Sequence, residues 1–109
     1  MNLYDQNKTI RNYTINDNSI VSATKEQISS DLGKEAIILN LKSGMYHGLN
    51  EVAAEVWNII QQPKAVKEVK AILLEEYEVD IQRCDRDLKD LLTELTEEGL
   101  IDIRNETAA

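Results

Sequence analysis

The stretch Glu35–Asn50, EAIILNLKSGMYHGLN, decides how the rest of the chain must be arranged. Ala36-Ile37-Ile38-Leu39-Asn40-Leu41 is short, apolar and rich in branched side chains, which suits a strand buried on at least one face. Lys42-Ser43-Gly44 is a turn signal, because Gly44 can take a positive φ at no steric cost. Met45 to Leu49 then reads as a second short strand. Asn50 is a good N-cap for a following helix, with Glu51 and Glu55 placing negative charge in its early turns. A hairpin therefore runs straight into a helix, and the second strand is pinned at both ends.

Working outward, Ser19–Ile28 carries Ile20, Val21 and Ala23 among Ser and Thr and reads as another strand. Ser29 to Lys34 reads as the turn into the hairpin, so three consecutive strands make an antiparallel meander. Downstream, Ala53, Val56, Trp57 and Ile60 recur at helical spacing over Glu51–Gln61, and Gln62-Pro63 stops that helix. Val66, Val69, Ile72 and Leu73 mark a second helix over Ala65–Tyr77. The third starts at an Asp80 cap and carries Cys84, Leu88, Leu91, Leu92 and Leu95 as an apolar stripe. Gly99 is well placed as the residue that ends it. Leu100, Ile101 and Ile103 form a short extended tail. The expected fold is α+β and winged-helix-like, a three-stranded antiparallel sheet followed by three helices. Residues 1–18, with Leu3, Tyr4, Ile10, Tyr13 and Ile15 as scattered anchors, read as a flexible or irregular arm. The folded domain is expected over 19–103 and a loose tail over 104–109.

Composition narrows the function. The 109 residues carry a net charge of -8, with 29% charged and 42% hydrophobic residues, a globular balance. Between Lys64 and Gly99 there are 6 basic and 11 acidic residues, which argues against a nucleic-acid reader. A winged-helix DNA-binding regulator stays as an alternative, because Arg83, Arg86 and Lys89 form a basic row interleaved with Asp85, Asp87 and Asp90. One cysteine and one histidine exclude an intrachain disulfide and a cysteine-rich metal cluster, and no metal or cofactor is expected. No apolar run reaches the length of a membrane span and no signal-peptide core is evident, so the expected address is the cytoplasm.

Little in the sequence could carry catalysis. Cys84 falls on an apolar helix face, as a buried core residue would. His47 reads equally as a surface residue or as a ligand contact. Binding is the better expectation, and two surfaces offer it. One is the outer edge of the Met45–Leu49 strand, which has neither proline nor internal charge to blunt it. The other is the flank of the third helix, with Arg83, Asp87 and Leu91 beside the core stripe. An open edge could also pair two copies of the chain into a homodimer. A purely structural subunit of a larger enzyme is a further alternative.

The runs IILNLKSGMYHGLNEVAAEVW, VKEVKAILLEEYEVD and DLKDLLTELTEEGLI, taken in order, resemble the PqqD-like family. The resemblance is carried by Leu39, Gly44, Tyr46, Leu49, Asn50, Ala53, Ala54 and Trp57, then Tyr77, Val79 and Asp80, then Leu92, Leu95, Gly99 and Leu100. It spans about Ile20 to Ile103, and it is the ordered set rather than any one piece that is specific. It implies a non-catalytic recognition element for the leader of a ribosomally synthesised, post-translationally modified peptide. Members bind the leader as an added strand and present the precursor to a modifying enzyme or to a cysteine-protease-type leader peptidase. The lasso-peptide type is preferred, for a freestanding chain with a long N-terminal arm; the PqqD-type chaperone of pyrroloquinoline quinone biosynthesis is the alternative. Carried over, the resemblance sets the peptide against the backbone of Met45, Tyr46, His47 and Gly48. Arg83, Asp87, Leu88 and Leu91 would line the helical wall, chosen largely from helix geometry.

Overall fold

A computed structural model of the chain describes residues 15–25 and 27–105. In chain order these form β1 (Ile20–Ala23), β2 (Gln27–Leu32), β3 (Glu35–Asn40), β4 (Tyr46–Leu49), α1 (Glu51–Ile59), β5 (Lys64–Ala65), α2 (Val66–Glu76), α3 (Ile81–Glu97) and β6 (Ile101–Arg104). The architecture is α+β, with three helices and two three-stranded antiparallel sheets, ordered β2-β3-β4 and β5-β1-β6.

The second sheet corrects the expected meander. The strand expected over Ser19–Ile28 is two strands in different sheets, and most of the expected turn at Ser29–Lys34 is strand β2. β2 sits at the edge of its sheet and is exposed from Ile28 to Leu32, so burial places no demand for apolar residues on it. Its Ser29-Ser30-Asp31 therefore looks like a turn in sequence. The true reversal is the two-residue loop Gly33-Lys34 between the paired Leu32 and Glu35. Gly33 has the positive φ, 74°, that the first loop position of such hairpins needs.

β1 leaves that hairpin sheet because its partners come from the other end of the chain. Val21 is fully buried and pairs with Ile103, and Ala23 pairs with Ile101. The amides of Ala23 and Thr24 donate to the carbonyls of Ile60 and Leu100, both at 2.9 Å. The expected extended tail is thus strand β6, and it runs through Arg104, where the sequence reading began the loose tail.

The expected N-terminal arm overlaps the structure only at 15–18, and Leu3, Tyr4, Ile10 and Tyr13 lie outside the described residues. Ile15 packs against the core. The carbonyls of Ser19 and Asp17 accept from the Val66 and Lys67 amides at 2.9 and 3.0 Å, satisfying donors in the first turn of α2. The fully buried Ser19 donates its hydroxyl to Asn105 Oδ1 and accepts from the Asn16 amide. Lys70 Nζ meets Asp17 at 2.6 Å and Asp85 at 2.8 Å, and Lys89 reaches Asp85 at 3.2 Å. One ammonium thereby ties the segment before β1 to both α2 and α3.

α1 packs on β3 and β4, and the three helices share one core with that sheet around Ile38, Val56, Trp57, Ile60, Val69 and Leu92, each at most 1% exposed. Asp80 caps α3 by accepting from the Arg83 amide at 3.0 Å. The helix ends in a Schellman turn: Gly99 has φ 74°, its amide donates to Thr96, and the Leu100 amide donates to Leu95. Cys84, Leu88, Leu92 and Leu95 are buried as the periodicity requires, while Leu91 stays half-exposed at the margin of the stripe.

The Lys70 cluster makes stability pH-dependent in a definite direction. Hydrogen bonds from Lys70, then Lys89, hold the Asp85 carboxyl below its ordinary value of 3.8. A carboxyl depressed by folding stabilises the native state above its unfolded pKa and loses that contribution as pH falls through the folded value. The side chain of Lys70 is 14% exposed but those of Asp17 and Asp85 are 54% and 32% exposed, so solvent screens part of the interaction. Lys70→Met is expected to cost about 1–2 kcal/mol in urea unfolding near neutral pH. Its deficit against wild type should shrink as the pH falls below about 4.

Candidate peptide-binding groove

Asn40, the last residue of β3, fixes the site. It is only 7% exposed, so all its polar atoms need partners. Its side-chain Oδ1 accepts from the amides of Lys42 and Ser43, at 2.9 and 3.2 Å, and so shapes the turn. Its Nδ2 donates to the Glu98 carbonyl at 2.7 Å, one of the orphan carbonyls at the C-terminal end of α3. One amide thus binds the hairpin turn to the end of α3 and holds β4 beside that helix.

Backbone alternation determines what β4 offers. β3 and β4 pair as Ala36–Leu49, Ile37–Gly48, Ile38–His47 and Leu39–Tyr46, and the Asn40 amide donates to the Met45 carbonyl at 2.9 Å in the same register. In an antiparallel ladder the residues of hydrogen-bonded pairs alternate with non-bonded ones. Met45, His47 and Leu49 therefore direct their backbone groups toward β3, while Tyr46 and Gly48 direct theirs to the other side. Among the described residues no strand pairs with that side. The open edge thus presents two residues' worth of donors and acceptors, beside α3. Gly48 has an ordinary φ, and a Cβ built on it would meet nothing within 4 Å. Neither strain nor internal packing requires glycine there.

Between this edge and α3 lies a groove with two connected parts, both lined by Asn50, Ala53 and Leu91. The smaller, about 270 Å3, lies against β4 and is reached by His47, Gly48, Glu94 and Glu98. The larger, about 560 Å3, opens between α1, the α2–α3 connection and the first half of α3. Arg83, Asp87, Leu88 and Leu91 all line this larger part. His47 and Gly48 line the smaller one, whereas Met45 and Tyr46 line neither and stand 57% and 69% exposed.

Sequence reasoning missed the opposite wall, formed by Val52 and Val56 of α1 with Tyr77 and Val79 of the connection. Val52 and Val79 are large apolar residues left 43% and 44% exposed, and in sequence each is a lone apolar residue off the core stripe of its element. It also missed the acidic end. The Nε2 atom of His47 is buried and lies 3.4 Å from Glu98 Oε1, without a hydrogen bond to any described residue.

The basic row on α3 is not free for phosphate. Arg83 pairs with Asp87 at 3.5 Å, Arg86 approaches the same carboxylate at 3.8 Å, and Lys89 pairs with Asp85. Cys84 is 8% exposed and burial pushes its thiol above 9.0, the wrong direction for a nucleophile. No group of three potential metal ligands occurs among the described residues, and no described helix is long and apolar enough to cross a membrane.

Comparison with known families gives a match to the family described as Coenzyme PQQ synthesis protein D (PqqD) over residues 35–101, from β3 through the first residue of β6. The chain belongs to the PqqD family. Every element that builds the groove falls inside the matched region, and β1 and β2 fall outside it. Two solved structures resemble this PqqD-family chain. The first, TbiB1 in complex with the TbiA(beta) leader peptide, is 28% identical with a TM-score of 0.70, covering 74% of this chain and 94% of that one. The second, a lasso peptide synthetase B1 complexed with the leader peptide, is 27% identical with a TM-score of 0.67, covering 75% and 96%. A search of the curated proteins finds no match.

Replacing Asn40 tests the clamp. Asn40→Ala leaves the Glu98 carbonyl and two turn amides without their partner, and is expected to cost about 1–3 kcal/mol in chemical denaturation. Amide exchange should speed up at Lys42 and Ser43 while the centre of α2 stays protected.

Proposed function

We propose that this protein is a non-catalytic recognition element for the leader of a ribosomally made, post-translationally modified precursor peptide, of the lasso type. The leader adds to the β4 edge as a further antiparallel or parallel strand, bonded to the backbone of Tyr46 and Gly48, and packs its inward side chains against α3. Met45 and His47 frame this edge, and Leu88, Leu91, Arg83 and Asp87 form the helical wall. The observation that carries the reading is the open, unblunted β4 edge held against an apolar helical groove. Membership of the PqqD family supports it, as do the similar structures, both described as leader-peptide complexes.

The groove suits binding rather than bond-breaking. A strand-adding peptide gains affinity from main-chain bonds and specificity from alternate side chains. The one histidine and the one cysteine line different parts of the groove, so they do not form a nucleophile–base pair. Chemistry on the peptide then belongs to a partner, a modifying enzyme or a cysteine-protease-type leader peptidase, to which this protein presents the bound precursor. The PqqD-type chaperone role is the second reading, favoured by the description of the matching family. Binding of a lasso-type leader, set against binding of a precursor for pyrroloquinoline quinone, separates the two.

Titration calorimetry with the synthetic leader of the precursor encoded nearest this protein's gene tests the docking mode. Tyr46→Pro removes an outward amide and is expected to weaken binding by about 1 kcal/mol or more, roughly a five- to tenfold rise in Kd, with helicity unchanged. His47→Pro removes an inward amide and should instead lower the stability of the β3–β4 ladder. Equal leader affinity in wild type and Tyr46→Pro would rule out strand addition at this edge.

A further inference from the structure

The groove is chemically uneven along its length. At its β4 end, Glu94 and Glu98 lie one helical turn apart on α3, and both are exposed. They share that end with His47, whose Nε2 lies 3.4 Å from Glu98 Oε1. At the other end the wall is Val52, Ala53, Val56, Leu88 and Leu91, and of the acids there Asp80 caps α3 and Asp87 pairs with Arg83.

The placement of the two carboxylates is unfavourable for the helix that carries them. A helix C-terminus concentrates partial negative charge and is stabilised by basic side chains, but the last turn of α3 contains none. Glu94, Glu97 and Glu98 add negative charge where the backbone already supplies it. Two of these three face the groove. A cation entering from outside would relieve the repulsion and find two carboxylates at once.

Strand geometry says which guest residue that would be. In an added strand, a residue directly opposite His47 shares its inward face, and so does the next residue but one, opposite Leu49. Residues between them face away, on the side of Tyr46 and Gly48. From His47 the groove continues past Leu49 and Asn50 into its apolar part. At about 3.3 Å per residue, two or four residues of extended chain carry the guest from one end to the other.

We infer that the groove selects peptides with a lysine or arginine facing Glu94 and Glu98 and a large apolar residue two or four positions away, filling the cavity beneath Val52 and Leu88. This rests on strand addition at β4 and adds the chemistry of the guest. Glu94 and Glu98 are specificity-determining residues for the cation. The net charge of -8 works in the same direction, raising the encounter rate with a basic segment.

A display library of fully randomised ten-residue peptides, selected on the intact protein and in parallel on the E94Q/E98Q variant, tests the inference. Both substitutions lie at exposed positions and keep the side-chain shape, so the fold is retained; the variant should even melt slightly higher without peptide. Wild type should enrich Lys or Arg at a spacing of two or four from a bulky apolar residue, and the variant should enrich the apolar residue alone. The best wild-type peptide, resynthesised, should bind the variant at least tenfold more weakly, with a smaller dependence on salt. Apolar peptides without a cation, or the same cation preference from both proteins, would overturn the inference while strand docking stands. Selected peptides whose binding is indifferent to Tyr46→Pro, or a failure to enrich any peptide, would remove strand docking and this inference together.

Discussion

The side-chain amide of Asn40 sets the geometry on which the rest of the molecule depends. A hairpin ending in an open edge has no inherent reason to lie alongside a particular helix. Here a single buried residue accepts from the turn that follows β3 and donates to the Glu98 carbonyl at the end of α3. Both partners are backbone groups that would otherwise be costly to bury, so the link is favoured from each side. The Schellman turn at Gly99 makes the arrangement possible, because it ends α3 where the Glu98 carbonyl can reach Asn40 and redirects the chain into β6.

Much of this was legible in the sequence. The hairpin, its turn at Gly44 and the Asn50 cap could be read because each depends on a local conformational preference, and the Asn50 side chain does accept from the Ala53 amide at 2.9 Å. The three helices could be read from periodicity alone. Their ends shift by a residue or two, as at Ile59, where Ile60, the last apolar residue of the pattern, lies beyond the last regular turn. The α3 wall of the groove was within reach for the same reason, since Arg83, Asp87, Leu88 and Leu91 follow from one helical face.

What stayed hidden is non-local. Ile20–Ala23 and Gln27–Leu32 look like one polar-flanked strand, and only pairing with residues eighty positions away, Ile101 to Arg104, separates them. Nothing about Asn40 in isolation distinguishes a strand residue from a clamp. Val52 and Val79 belong to different elements and become one surface only after α1 and the α2–α3 connection meet. The acidic end of the groove was equally out of reach, because Glu94 and Glu98 read as a solvated helix face until β4 is set beside them.

The hairpin sheet has two borders, and they are built differently. On the β2 side the residues that point inward beside the buried Ile38 and Ala36 are Ser29 and Asp31, and an inward-aimed charge is a standard deterrent against an incoming chain. The β4 side turns His47 and the buried Leu49 inward, and that strand carries no inward carboxylate. The ribbon is therefore guarded at one selvage and bare at the other, and runaway stacking of copies is deterred on the β2 side.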